Sequence, residues 1–215
     1  MAPQDPKSPI APFLEANKRW AASFAETDSD LLSKFPTWQA PPILWFGCCD
    51  SRQPETTILG AKPGTCFTHR NIANVITATD LSATSVIEYA VNALKVKHIV
   101  LCGHTGCGGC RAALGNERVG KIDTWLMPLR QLRLKHAEEL EGLGWEERWK
   151  RFSELNVMQG VEVLRQNPDV IAAVRERRLT VHGVVYDLGT GVLRELEIPE
   201  GDGERRKWAF EMAKL

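Results

Sequence analysis

All six cysteines of this 215-residue chain fall between positions 48 and 110. They are Cys48, Cys49, Cys66, Cys102, Cys107 and Cys110. Three of them belong to polar segments: Cys48 and Cys49 to residues 48–52, and Cys107 to residues 104–107. Each segment follows a short apolar run, at 43–47 and 98–102. Continuous apolar runs of this length are typical of parallel strands buried on both faces. Since the carboxyl ends of parallel strands meet at one edge of a sheet, we expect the two polar segments to lie together there.

The two polar segments carry side chains of the types that bind zinc in proteins. Cys48 and Cys107 each offer a thiolate, and His104 offers an imidazole nitrogen. Thiolate and imidazole favour zinc over magnesium or calcium, and three protein ligands leave the fourth tetrahedral position free, as in catalytic zinc sites. A single buried cysteine is more often a small apolar residue, so this prediction rests on the two segments together. The other four cysteines are predicted to be packed or spare thiols, with Cys110 close to the site.

Asp50 and Arg52 follow the first proposed ligand closely. In extended backbone, residues two apart point the same way, so Cys48, Asp50 and Arg52 can share one face. Asp50 could ligate the metal and close its fourth position. Alternatively, Asp50 could form a bidentate pair with Arg52 and leave that position to water. The residues alone leave both alternatives open.

The pattern along the rest of the chain alternates strands with helices. Helices are predicted at 13–27, 79–95, from about 110, and at 123–143, 146–166 and 169–176; strands are predicted at 43–47, 65–68, 98–102, 179–186 and 192–198. This alternation predicts an α/β fold, with a mostly parallel β-sheet core flanked by helices and an antiparallel C-terminal edge. Four prolines in residues 1–12 predict a flexible proline-rich arm. Residues 13–215 are expected to form a single zinc-dependent catalytic domain.

Composition excludes several classes of protein. The chain has 27 Lys plus Arg and 27 Asp plus Glu, so its net charge is zero, and 43% of its residues are hydrophobic. This balance argues against intrinsic disorder and against a nucleic-acid partner, which usually requires a basic excess. No apolar run approaches the ~18 residues of a membrane span, and the N-terminal residues do not resemble a secretory signal. We therefore expect a cytoplasmic protein without a membrane partner, with a mitochondrial address left open.

With these motifs, the chain resembles the β-class carbonic anhydrases. The similarity rests on Cys48-x-Asp50-Ser51-Arg52 and His104-x-x-Cys107, and it extends to the segments at 69–74, 88–90 and 182–187, covering about residues 15–198. The two zinc motifs in combination are highly specific.

The resemblance implies the reversible hydration of carbon dioxide to bicarbonate and a proton. One zinc ion per subunit would be held by Cys48, His104 and Cys107, with zinc-bound hydroxide as the nucleophile. Asp50, held by Arg52, would orient the water, and in a closed state Asp50 would itself ligate zinc. The substrate pocket implied by family position is formed by Gln39, Phe67, Ile72, Tyr89 and Gly108. The family also implies a homodimer or homotetramer.

One subtype of the family, type II, has a non-catalytic bicarbonate pocket beside the active site. The resemblance assigns Trp45, Arg70 and Tyr89 to this pocket, where an arginine would supply charge and the ring N–H and O–H groups would supply hydrogen-bond donors. Bicarbonate bound there would favour the closed state with Asp50 on zinc. Gln53 departs from the subtype, which often has a small apolar residue at this position.

Two other functions stay open at the level of sequence. The first is hydrolysis of carbonyl sulfide or carbon disulfide on the same fold, which the zinc motifs do not separate from carbon dioxide hydration. The second is a non-catalytic protein that senses zinc or bicarbonate. The Asp50–Arg52 pair argues against the second, because a purely structural zinc site has no need of it.

Overall fold

Five strands form one sheet in the described part of the chain. A computed structural model describes residues 8–35 and 37–199. The strands are β1 (Ile43–Cys48), β2 (Cys66–Asn71), β3 (His98–His104), β4 (Thr180–Asp187) and β5 (Val192–Glu195). Their order is β2-β1-β3-β4-β5; the first four are parallel, and β5 pairs antiparallel with β4. This sheet and its flanking helices confirm the predicted fold class.

Ten α-helices connect or flank the strands in the same described residues. They are α1 (Ala11–Thr27), α2 (Ser29–Lys34), α3 (Glu55–Ile58), α4 (Leu81–Glu88), α5 (Gly108–Leu114), α6 (Ile122–Trp125), α7 (Met127–Lys135), α8 (Ala137–Glu141), α9 (Trp145–Arg165) and α10 (Pro168–Arg177). A 3₁₀ turn (Ile72–Asn74) follows β2, and a π-helical turn (Tyr89–Ala93) continues α4. None of the helices among the described residues is both long and apolar enough to cross a membrane.

The helix predicted at 123–143 is in fact three short helices, α6, α7 and α8. Pro128 lies in the first turn of α7. Because proline has no N–H to donate to the preceding turn, α6 cannot continue smoothly into α7. A second break occurs at His136, whose backbone angles (φ −112°, ψ 24°) are not helical.

One face of the sheet packs against the long helix α9. Leu44, Phe46 and Leu101 belong to the buried cluster on this face, together with Val157 and Val161 of α9. Two glycines allow the close approach. A Cβ at Gly160 of α9 would lie 2.4 Å from Leu101 Cδ2, and one at Gly183 of β4 would lie 2.9 Å from Val157 Cγ1.

The chain divides into two compact units, residues 1–39 and 40–215. The first contains α1 and α2, where the Phe24 ring is stacked on Trp20 and Phe35. The second contains the sheet and both zinc motifs. Residues 1–7 of the predicted arm and the tail at 200–215 lie outside the described residues, so the predicted division at residue 12 stays a prediction.

Candidate metal centre

The ends of two neighbouring strands bring the three predicted ligands together. Cys48 is the last residue of β1, and His104 is the last residue of the adjacent parallel strand β3. Cys107 immediately precedes α5, after a turn in which Gly106 has a φ of 67°. All three residues are buried, and their ligand atoms lie within 4.8 Å of one another. The structure therefore assembles the cluster that the strand-end argument predicts.

The orientation of His104 fits a metal ligand. Its Nδ1 lies 2.9 Å from the carbonyl oxygen of Thr105. Because a carbonyl oxygen only accepts, Nδ1 carries the proton and Nε2 presents its lone pair. Nε2 is fully buried and has no hydrogen-bond partner among the described residues. A bound cation would supply the missing partner, and a backbone carbonyl that fixes the other ring nitrogen is the usual arrangement at metal sites.

The two thiols also fit a cation. Without one, the pKa of Cys48 is raised to about 12, because its thiol shares a hydrogen bond with Cys107 and burial disfavours the charged form. The pKa of Cys107 is also raised to about 12, because of a hydrogen bond with Cys110 and because of burial. A coordinated metal deprotonates such thiols outright. Two sulfur donors and one imidazole nitrogen form a donor set suited to zinc.

Asp50 and Arg52 form the bidentate pair that was one of the two sequence alternatives. Arg52 Nε donates to Asp50 Oδ1 at 2.9 Å, and Nη2 donates to Oδ2 at 2.7 Å. The Arg52 guanidinium therefore holds the pKa of the Asp50 carboxyl well below its usual range. Asp50 Oδ2 is nevertheless only 3.9 Å from His104 Nε2, so this carboxylate lies beside the candidate ligand cluster.

Arg70 supports the same loop from β2. Its Nε donates to the Cys48 carbonyl at 2.8 Å and its Nη2 to the Asp50 carbonyl at 2.6 Å. Glu55 lies 3.6 Å from Nη1. Gln53, which is fully buried, also donates to the Cys48 carbonyl, at 3.3 Å. Arg70 and Gln53 thus hold the backbone of the segment that carries both a ligand and the acidic residue.

The predicted pocket residues fall into two groups, those that adjoin the ligand cluster along the chain and those that form a ring pair. Ile72 lies directly before Ala73, whose backbone N–H donates to Cys48 Sγ at 3.2 Å. Gly108 follows Cys107 and borders open space, with no heavy atom within 4 Å of the position a Cβ would take. Phe67 and Tyr89 form a ring pair with centroids 5.6 Å apart, and Tyr89 is half exposed.

Gln39 belongs to the N-terminal unit. Its role in the pocket stays a prediction, as do the roles of the other pocket residues.

Trp45 and Arg70 lie together on the face of the sheet opposite Leu44 and Phe46. A Cβ at Gly47, which lies between them, would be 2.8 Å from Trp45 Nε1 and 3.9 Å from Arg70 Cγ. Strand alternation explains the arrangement, since Trp45 falls between Leu44 and Phe46 of the buried cluster.

Tyr89 lies on the other side of the sheet. It contacts Phe67, which packs against the Leu44 and Phe46 cluster. The structure therefore separates Tyr89 from Trp45 and Arg70 within one subunit. The second tyrosine of the chain, Tyr186, follows the clustered Val185 on β4, so alternation places it on the face of Trp45.

Three supporting residues were not predicted from the sequence. Ala73 donates to Cys48 Sγ from a left-handed backbone conformation (φ 62°), and its carbonyl accepts from Asn156 Nδ2 at 2.8 Å. Trp149 Nε1 donates to the Cys107 carbonyl at 2.8 Å. Ala73 lies in the segment at 69–74 that contributes to the family resemblance, and this segment could have indicated that Ala73 lies near the site. Trp149 is remote in sequence, and nothing in its surroundings pointed to the site.

Comparison with known proteins places this site in a family. The family model described as "Carbonic anhydrase" matches residues 43–193. A carbonic anhydrase of Emericella nidulans is 41% identical over 188 residues, which cover 86% of this chain and 82% of the relative.

Solved structures agree with this assignment. The β-carbonic anhydrase CafA of Aspergillus fumigatus is 50% identical, with a TM-score of 0.92 over 95% of this chain and 99% of that chain. A structure described among two tetrameric β-carbonic anhydrases of Sordaria macrospora is 52% identical, with a TM-score of 0.83 over 86% and 94% of the two chains. With its Cys₂His cluster at the ends of two parallel strands, the chain belongs to the β-class carbonic anhydrases, which are zinc enzymes.

Proposed function

We propose that this carbonic anhydrase holds one zinc ion per subunit through Cys48, His104 and Cys107 and catalyses the reversible hydration of carbon dioxide to bicarbonate and a proton. The observation that carries the proposal is the buried, unpartnered Nε2 of His104 beside two thiols. Zinc, when bound, lowers the pKa of a water molecule and so supplies hydroxide near neutral pH.

Asp50 and Arg52 prepare the site for the reaction. Arg52 keeps Asp50 ionised, as the lowered pKa of this carboxyl indicates. While Arg52 holds it, Asp50 would leave the remaining metal position to water and could accept a hydrogen bond from that water. Such a hydrogen bond would orient the water toward the carbon of the substrate.

Release of Asp50 from Arg52 would close the site. We propose that Asp50 would ligate a bound zinc ion at neutral or lower pH and would return to Arg52 as the pH rises. The rate of carbon dioxide hydration should increase from mildly acid to alkaline conditions. A pH–rate profile that is flat over this range would contradict the proposed exchange of Asp50 between zinc and Arg52.

We propose that Trp45 and Arg70 bind bicarbonate, as in the type II subtype, with Tyr186 as the tyrosine donor in place of Tyr89. Arg70 donates to the carbonyl oxygens of Cys48 and Asp50. An anion that draws the guanidinium away would free the backbone of Asp50 and favour the closed site. Gln53 would keep its bond to the Cys48 carbonyl, so the zinc ligand would stay in place.

The bicarbonate proposal is tested with Trp45→Phe, which removes the indole donor and keeps a buried ring, and with Arg70→Gln. Both variants should bind zinc normally and lose sensitivity to bicarbonate inhibition. Tyr89→Phe is the matched control, because Tyr89 lies on the other face of the sheet, and it should keep that sensitivity. Unchanged inhibition in both test variants would refute the pocket.

We propose further that Phe67, Ile72, Tyr89, Gly108 and Gln39 line the substrate pocket. The ring pair of Phe67 and Tyr89, the exposed side chain of Ile72 and the open space at Gly108 support an apolar route to the metal. An apolar wall suits carbon dioxide, which carries no charge. We propose that the enzyme acts in the cytoplasm.

A further inference from the structure

Cys110 is buried against a proposed zinc ligand and has no part in the function described above. Cys107 immediately precedes α5, and Cys110 is the third residue of this helix. Each residue is 1% exposed, and both belong to one buried cluster. The segment thus forms a Cys-x-x-Cys pair, Cys107-Gly108-Gly109-Cys110, in which one member belongs to the metal cluster.

The backbone of this pair suits a disulfide. Residues three apart in the first turn of a helix lie on one face, and their Cα atoms fall within the ~4.4–6.8 Å that a disulfide spans. Of the two intervening glycines, Gly109 is closely packed, since a Cβ there would lie 2.7 Å from Ala73 Cβ, and only Gly108 leaves one side of the pair open. No heavy atom lies within 4 Å of the position a Cβ would take at Gly108, which is exposed. A small oxidant could therefore reach Cys107 from this side.

The other cysteines are less suited to pair with Cys107. Cys102 is buried in β3 and its thiol donates to the carbonyl of Gly103. Cys48 also contacts Cys107, but it ends β1 and its sulfur is held by the N–H of Ala73. A Cys48–Cys107 bond would have to pull on a central strand, whereas a Cys107–Cys110 bond closes within one turn.

We propose that Cys107 and Cys110 form a reversible disulfide that removes Cys107 from zinc. The oxidant is hydrogen peroxide. It oxidises the Cys107 thiolate to a sulfenic acid and releases hydroxide. The Cys110 thiol then attacks the sulfenic sulfur, so that the S–S bond forms, the S–O bond breaks and water leaves. In total, two thiols and one peroxide give one disulfide and two waters. The proposal rests on Cys107 being a zinc ligand.

The test uses the zinc-loaded full chain. Peroxide is added, released zinc is measured with a chromogenic chelator, and disulfides are located by mass spectrometry of alkylated peptides. The wild type should release its zinc, show a Cys107–Cys110 link, and bind zinc again after treatment with a dithiol.

Cys110→Ser should bind zinc when reduced but should lose both the link and the recovery, because a sulfenic acid without a resolving thiol proceeds to the irreversible sulfinic acid. Cys66→Ser, which changes a half-buried cysteine of β2, should behave like the wild type.

Three results would overturn the proposal. In the first, the oxidised wild type carries a Cys48–Cys107 link instead. In the second, Cys110→Ser or Cys110→Ala releases and recovers zinc as the wild type does. In the third, the reduced wild type binds no zinc, which would refute the zinc assignment and this proposal with it. Peptide mapping of the wild type needs no variant, so the link is tested even if both substitutions prevent folding.

Discussion

At the scale of single residues, the proposed open and closed states of the site differ in which group holds Asp50. Arg52 does so in the structure through two parallel hydrogen bonds from one guanidinium. Bidentate contacts of this kind are stronger and more directional than a single charged hydrogen bond. Lysine has a positive charge but lacks the planar guanidinium with its two parallel N–H donors, so it is not an equivalent replacement.

Arg52→Lys should therefore lower the rate of carbon dioxide hydration near neutral pH by roughly tenfold to a hundredfold, because lysine cannot reproduce both hydrogen bonds to the Asp50 carboxylate. Zinc content should not change, because Arg52 contacts no zinc ligand side chain through a hydrogen bond in the described residues. Stopped-flow hydration and metal analysis of the same sample measure both quantities. A variant with full activity would show that Asp50 is held by something else.

At the scale of elements, the site depends on how closely α9 lies against the sheet. Trp149 of α9 donates to the Cys107 carbonyl, and Asn156 of the same helix donates to the carbonyl of Ala73. The same helix also makes the close approach to the sheet at Gly160 and Gly183. Packing of the core and support of the ligands are therefore coupled through one helix.

Gly183→Ala should reduce the free energy of unfolding by ~1–3 kcal/mol, the usual cost of overpacking a core. The new Cβ would lie 2.6 Å from Ile198 Cδ1, 2.9 Å from Val157 Cγ1 and 3.1 Å from Val161 Cγ2. Denaturant unfolding measures the change. Gly142→Ala is the control, because its nearest contact would be 3.9 Å away. Equal stability of the two variants would contradict the close packing of α9.

An ion pair between α8 and α9 gives a prediction about pH. Arg151 lowers the pKa of Glu139 chiefly through a hydrogen bond. A folded-state pKa below the unfolded value of about 4.3 means that the pair stabilises the fold above that value and loses its effect as the pH falls. Arg151→Met should reduce the free energy of unfolding by up to ~1 kcal/mol at neutral pH. The difference in this free energy between the variant and the wild type should become smaller in acid.

Chemical denaturation at several pH values measures this narrowing. Glu138→Gln, on the same helix α8, is the control and should show no such pH-dependent difference. If the difference in free energy of unfolding between Arg151→Met and the wild type stayed constant in acid, Arg151 would act through packing alone.

Much of the site could be predicted from the sequence because its signals are local. Apolar runs mark β1 and β3, and the polar residues at their ends must meet once the strands are parallel neighbours. The relation of Tyr89 to Trp45 could not be predicted, because it depends on which face of the sheet a distant helix covers. The left-handed conformation of Ala73 also has no local signal, since alanine rarely adopts it.

At the scale of the whole molecule, β2 is an edge strand in the described part of the sheet. Large apolar side chains are exposed on other elements, among them Phe13 at 74%, Leu81 at 78% and Tyr89 at 49%. An unpaired strand edge and exposed apolar residues are the usual marks of a surface that another chain covers. These features favour the homodimer or homotetramer that the family resemblance implies.

Sedimentation equilibrium should therefore give a mass of two or four times 24.0 kDa. We expect Leu81→Lys to shift the mass toward one subunit without unfolding the chain, because Leu81 is an apolar side chain that is 78% exposed in the single chain. A wild-type protein that stays at 24.0 kDa at all concentrations would refute the assembly.

The measurement that tests the account most directly is stopped-flow carbon dioxide hydration at alkaline pH, with zinc determined on the same sample. The wild type should contain one zinc per chain and hydrate carbon dioxide rapidly. Cys107→Ala should lose both zinc and activity, because it removes one of three ligands. Zinc bound at one per chain without hydration at alkaline pH would contradict the catalytic site and favour a protein that only binds zinc or bicarbonate.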